Sequence, residues 1–536
     1  MKRLRLGAVT PGIFALGAIA LLLGGAFAGL IVEGARDPSG AVSAFDTYLV
    51  RVARFTLWQA ALSMLVSVVP AIFVARALAR RPDFFGRRWL LALFAVPLAL
   101  PAIVAALGIL ALLGRAGLLA EPLTALGGAR WPGIYGLPGI LVAHAFFNVP
   151  LATRLFLQAL ETVPNDRWRL ASQLGFGPWA TFRFVEWPVI RASLAGVAGL
   201  VFMLCVTSFT IVLILGGGPR ATTLEVAIYQ ALRFDFDPAR AVALVAVQVA
   251  LTLAAVLALR KAVGDLVGDA AMATVARRPA HRGSAGRLAD GILIALAFVF
   301  VAAPMAAVVV SGLRAELARL AGDPAVHAAA ITSLQLSALA AGGTLLLAVS
   351  LVRARQRLEV ARRGGPAGLL ERAMDTGAGF VLVVPPIVVG AGWFILLRQS
   401  GNVLALAAPM VVAVNAVMAL PFALRVIRPA HDAAAARYDR LSASLGLGGL
   451  ARLRLVDWPL MRRPLGTAFA FAMALSLGDL GVIALFGSDA VQTLPYLLLA
   501  RMGSYRTADA AGIALLLALL TLILMLAAEW FGRRRI

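Results

Sequence analysis

Charge is scarce in this chain. Only 14% of its 536 residues are Asp, Glu, Lys or Arg, while 61% are hydrophobic. That is too few charges to cover the surface of a soluble protein of this size. Cysteine is scarcer still. The single one, Cys205, lies in an apolar run, which excludes an internal disulfide and any thiolate metal cluster. Lysine is almost missing: Lys2 and Lys261 stand alone, and neither lies in a G-x-x-x-x-G-K-[ST] setting, so the chain has no phosphate-cradling loop of that kind. The four histidines, His144, His281, His327 and His431, are scattered. No paired carboxylates or nucleophile constellation appears. These absences predict a chain with no catalytic site and no metal or cofactor of its own.

What is abundant is apolar sequence. Runs of about 20 residues, long enough to cross a bilayer core, recur throughout. A β-barrel would instead show short alternating segments. The expected fold is therefore an all-α polytopic membrane protein. We place twelve spans, near 11–32, 57–77, 90–113, 136–158, 192–215, 240–260, 291–312, 331–352, 376–397, 404–426, 466–487 and 510–530. The first run, followed by Ala26-Phe27-Ala28, mimics a signal peptide. It exceeds the roughly 7–15 apolar residues of a signal core and reads as a retained helix. The net charge of +23 would suggest nucleic acid in a soluble chain. Here it follows the positive-inside rule instead, and no nucleic-acid partner is expected. With twelve spans, about three quarters of the Lys and Arg fall on one side, which places both termini in the cytoplasm of a bacterial inner membrane.

The sequence also repeats itself. SQLGFGPWATFRFVEWP at 172–188 has a counterpart in ASLGLGGLARLRLVDWP at 443–459. Gly175 and Gly446 stand 271 positions apart, as do Pro188 and Pro459, Pro150 and Pro421, and His144 and Asn415. The chain thus divides into a first half, 1–262 (core about 55–260), a cytoplasmic linker, 263–287, and a second half, 288–536 (core about 330–530). Both halves begin on the same side, so they are parallel six-helix repeats.

Each repeated segment, within 161–190 and 432–462, is polar and carries arginine. In the first copy, Leu170, Ala171 and Leu174 recur at helical spacing on one face. Gly175 follows, where a left-handed stop costs least. Pro178 suits the start of a second helix, which is expected to run Trp179–Glu186 and to end near Pro188, where a membrane span begins. Leu441, Leu445, Gly446 and Pro459 repeat the plan. Such an elbow would suit the lipid surface, but two copies in register, each with an acid (Glu186, Asp457), point to two equivalent cytoplasmic partners.

Glycine, nine intervening residues and then an apolar-x-apolar-proline run resemble the coupling loop of type I ABC importer permeases, whose domains have the MetI-like fold. The fused two-half layout is similar to the iron(III) and thiamine permeases. HAFFNVPLATRLFLQALETVP at 144–164, FMLCVTSFTIVLILGGGPRATTLEVAIYQAL at 202–232 and TLPYLLLARMGSYRTADA at 493–510 resemble the permeases of bacterial thiamine importers. The resemblance implies import of thiamine and its phosphate esters. It also implies two copies of a cytoplasmic ATPase that bind ATP and magnesium, a periplasmic thiamine-binding protein, and membrane lipid around the permease. ATPase contact would fall to Arg169, Leu170, Ala171, Gly175 and Pro188, and to Arg440, Leu441, Ser442, Gly446 and Pro459. The family usually has Glu where this chain has Arg169 and Arg440.

An ionisable group inside a span is a functional candidate. Asp479 is the clearest, with Ser208 as its counterpart in the first half. It is expected either to face a cationic solute or to pin a helix by hydrogen bonds. His144, Asn148 and Asn415 are further pathway candidates, and such groups commonly bond across helices. Two other functions remain open from sequence: a permease of this family for iron(III) or another solute, and an ion-coupled secondary transporter. The latter leaves the elbows without a role.

Overall fold

The computed structural model describes residues 9–127, 130–263, 284–362, 365–381, 383–399, 401–447 and 449–533. The chain start, most of the linker and the last three residues lie outside that range, so the linker expectation falls largely beyond the described residues. Among these the protein is helical, with no β-strand beyond an isolated bridge between Ser488 and Val491.

Nine described helices are long and apolar enough to cross a membrane. They include Thr10–Arg36, Thr47–Arg80, Leu137–Glu161, Pro324–Arg362 and Val403–Ser442. Their outward faces are apolar, with Phe14, Leu21, Trp58, Leu296, Leu346 and Ile523 exposed, as expected where the solvent is lipid.

Three further expected spans are interrupted, and the fifth, although its main helix is one of the nine, ends earlier than expected. The span expected at 90–113 is two helices, Arg87–Ala99 and Ala102–Leu113, bent by 112°. Leu100 is extended, with ψ 130, because the following Pro101 disfavours the helical region for the residue before it. The span expected at 376–397 is divided between Leu369–Phe380 and Pro386–Gln399. The fifth breaks at Thr207-Ser208-Phe209 between Trp187–Val206 and Thr210–Leu215. The eleventh breaks at the matched place, Gly478-Asp479-Leu480, between Trp458–Leu477 and Gly481–Phe486. Both halves therefore carry discontinuous helices in the same register, a pattern tolerated where backbone faces protein or a cavity.

By packing, the chain forms two compact units that do not coincide with the sequence halves. One comprises 46–227 and 246–311, the other 1–45, 228–245 and 312–536. The first helix of each half belongs to the unit built mainly from the other half. In the second unit, Thr10–Arg36 lies against Pro386–Gln399 at very close range. A Cβ on Gly392 would sit 2.1 Å from the Ala26 carbonyl oxygen, and one on Gly29 would sit 2.3 Å from that of Gly392. Small residues permit such approach between membrane helices. Trp393 Nε1 donates to Leu22 O at 2.7 Å across the same seam. Gly392→Ala is expected to lower the stability of the purified protein by about 1–3 kcal/mol through overpacking. Thermal unfolding in detergent would check this, and an unchanged midpoint would refute it.

Candidate functional site

In the first unit the helix Asn165–Gln173 ends in a left-handed turn. Leu174 N donates to Leu170 O and Phe176 N to Ala171 O, both at 2.9 Å, while Gly175 takes φ +66. In the second unit Leu445 N donates to Leu441 O at 3.0 Å, Leu447 N to Ser442 O at 2.9 Å, and Gly446 takes φ +64. Both copies are Schellman stops, with glycine at the position where a Cβ would be strained. Nothing lies within 4 Å of where a Cβ would stand on either glycine, so the requirement is conformational and not one of space.

The elbow's two faces differ from the expectation. Leu170 and Leu174 point outward at 55% and 61% accessibility, whereas Ala171 turns inward. Ala171 packs with Val163, Trp168 and Val185, and with Phe176 and Val189. Trp168, not the leucine pair, anchors the inner face. In the second copy Ser442 is buried, while Leu441 and Leu445 are exposed at 53% and 64%. Arg169 and Arg440 are exposed. The outward surface of each elbow is therefore a leucine pair flanked by an arginine.

Two boundaries also differ. No break occurs at Pro188. Pro178–Thr181 runs through a π-turn, Phe182–Glu186, directly into Trp187–Val206, and Leu453–Asp457 is the same π-turn before Trp458–Leu477. Trp187 N–H donates five residues back to Phe182 O, and this wide turn precedes Pro188, which has no N–H to donate. The second elbow's first helix is not separate either: Val403–Ser444 is continuous over 42 residues. Pro164, which starts the first elbow as an N-cap, is replaced by Ala435 at the matched position, so nothing interrupts the helix there.

Four of the five interior polar candidates bond to protein. In the first unit Ser63 Oγ and His144 Nδ1 share a hydrogen bond of 2.8 Å. Asn148 Nδ2 donates to Cys205 Sγ at 3.4 Å, and Gln59 Nε2 to Cys205 O at 2.9 Å. His144 Nε2 is buried without a partner among the described residues. In the second unit Asn415 Nδ2 donates to Ser476 Oγ at 2.9 Å. Ser476 and Cys205 are matched positions, but their donors are not: Asn415 matches His144, and Asn148 matches Ala419, so the same two helices are linked from different positions. Asp479 accepts from Gly481 N at 3.2 Å and Val482 N at 3.3 Å. It caps the resumed half of the broken eleventh span. Ser208, at the corresponding break, is half-buried. Among the described residues no group of three His, Cys, Asp or Glu is placed to hold a metal.

Sequence reasoning missed three features. Leu224 N donates to Thr56 Oγ1 at 3.0 Å, and Leu494 N to Ser333 Oγ at 2.8 Å; each bond opens a short helix, Leu224–Arg233 or Leu494–Gly503. Glu225 is buried at 1% accessibility, and its Oε1 lacks a partner among the described residues. Arg76, Arg80 and Asp290 converge near the first elbow. From sequence, arginines close to a span end read as ordinary orientation signals.

Residues 67–281 and 365–536 match the model of the binding-protein-dependent transport system inner membrane component family. The chain belongs to that family. The two matched stretches each contain one elbow, so the elbows are features of two fused permease domains. Nearly the whole chain is also similar to named relatives. It is 56% identical to the thiamine transport system permease protein of Brucella abortus over 97% of this chain and 94% of that protein. It is 43% identical to the one from Salmonella typhimurium, over 96% and 95% of the two chains. With the Escherichia coli protein the identity is 42%, over 99% and 98%. The chain is accordingly a transport component of the inner membrane, which is not an enzyme class.

Proposed function

We propose that this permease is the membrane subunit of an ATP-driven importer of thiamine, and of its phosphate esters. The observation that carries the solute is full-length similarity to thiamine permeases, including the loops between spans. Physical chemistry alone would not name it, since no described cluster selects a thiazolium. The observation that supports the energy source is the pair of matched elbows, each offering an exposed leucine pair. Two copies of a cytoplasmic ATPase would dock there and hold ATP and magnesium. A periplasmic thiamine-binding protein would deliver the solute to the opposite face. Both termini would then be cytoplasmic, a reading that the arginine distribution supports.

The complex of permease, ATPase and binding protein in proteoliposomes is expected to accumulate radiolabelled thiamine only with ATP present, and to be indifferent to a proton uncoupler. Uptake that survives without ATP and collapses with the uncoupler would instead show an ion-coupled carrier. Uptake of iron(III) but not thiamine would overturn the solute.

A further inference from the structure

Glu186 and Asp457 occupy one register of the two repeats, immediately before the Trp-Pro that follows each π-turn. A carboxylate at the mouth of a membrane helix is costly unless paired. Glu186 is 1% accessible. Its Oε2 receives Arg76 Nε at 2.7 Å and Arg80 Nη2 at 3.2 Å, while Oε1 receives Arg80 Nε at 3.3 Å. Arg80 Nη1 continues to Asp290 Oδ1 at 3.3 Å on the helix Ser284–Leu313. The Arg76 guanidinium also lies 4.0 Å from the centre of the Phe182 ring, within the π-turn itself. One buried network therefore joins the elbow's exit to two membrane helices of its unit.

The second unit has the same joint in a wetter setting. Asp457 meets Arg353 at 3.5 Å and Arg452 at 3.4 Å. Arg452 also pairs with Asp439, which accepts from Gln356 Nε2 at 3.1 Å. Arg76 and Arg353 stand 277 positions apart, the separation of Thr56 and Ser333, whose hydroxyls make matched bonds on the same two helices. The acid and its arginine are thus in register in both halves. An orientation signal would need neither the partner nor the register.

We propose that Glu186 with Arg76 and Arg80, and Asp457 with Arg353, are the joints that pass movement of each elbow into the membrane helices of its own unit. They are positioning residues, and their role rests on the reading of the chain as an ATP-driven permease. Without the joint, the π-turn is a hinge, and displacement of the elbow is absorbed there. The first joint is the stiffer one. Glu186 is dry, whereas the side chains of Asp457 and Arg353 are 26% and 47% accessible, so solvent screens the second.

The test is the number of thiamine molecules imported per ATP hydrolysed by the full complex in proteoliposomes. Glu186→Gln is expected to assemble and hydrolyse ATP while import per ATP falls about tenfold, because a buried charge pair has lost one member. Glu186→Asp keeps the charge at a shorter reach and is expected to fall only about threefold. Asp457→Asn is expected to fall no more than about twofold. A merely structural role predicts import and hydrolysis falling together, and that result, or an unchanged ratio in Glu186→Gln, overturns the proposal. If Glu186→Gln does not assemble, Glu186→Asp carries the test alone, and an unchanged ratio there overturns it. Absence of import by the unaltered complex would instead overturn the permease reading.

Discussion

Replacing Gly175 or Gly446 with proline is expected to abolish thiamine import while leaving the protein in the membrane. Both glycines sit at positive φ, +66 and +64, and proline is held near −65°. Proline also removes the Gly175 N–H, which donates to Ser172 O at 3.1 Å. The stop cannot form, so the first elbow helix no longer turns back to place Pro178 and the π-turn. Alanine provides the graded control. It keeps the N–H and suffers only the left-handed strain, about 1–2 kcal/mol, since the space around both sites is open. Import by Gly175→Ala is therefore expected to fall by about tenfold or less, and by Gly175→Pro below detection. Flotation with the membrane fraction checks insertion, and uptake checks coupling. Normal uptake in both proline variants would remove the elbows from the mechanism. A difference between the two sites is also informative: the second elbow helix is fused into a 42-residue helix, which supports it from one side, while the first begins afresh after Pro164.

Much of this architecture was legible in the residues because the bilayer leaves few choices. Helices must satisfy their own backbone, so long apolar runs locate them. The elbows were legible because a glycine stop and a Trp-Pro restart are local chemistry, repeated twice. Three things were not legible. The breaks within spans depend on single residues in apolar runs, and hydropathy averages over Leu100-Pro101 and Thr207-Ser208-Phe209. The membership of the chain's first helix in the unit of the second half depends on Gly29 and Gly392 meeting across hundreds of positions. The pairing of Glu186 with Arg76 depends on two charges that each looked ordinary, one as part of a repeated motif and the other as an orientation signal.

Asp479 is the polar group where sequence left two roles open, and the structure makes them separable. Its carboxylate accepts from Gly481 N and Val482 N at 3.2 and 3.3 Å, two donors otherwise orphaned at the start of Gly481–Phe486. An uncapped helix start inside a membrane protein leaves donors with no water to satisfy them. Asp479→Leu is therefore expected to reduce import by about tenfold or more, through loss of a charged cap and of the fixed break. Asp479→Asn is the deciding variant. Its single amide oxygen keeps one of the two backbone bonds, but it carries no charge to attract a cation. If Asp479 serves the helix, Asp479→Asn imports thiamine within about threefold of the unaltered protein. If it serves a cationic solute, Asp479→Asn falls as far as Asp479→Leu. The geometry favours the first outcome, because the two backbone donors already occupy both oxygens, and the matched break in the first half carries the neutral Ser208. A carboxylate engaged on both oxygens has less capacity to follow a passing solute, and an interior built of such pinned groups leaves choice of solute to residues outside these caps.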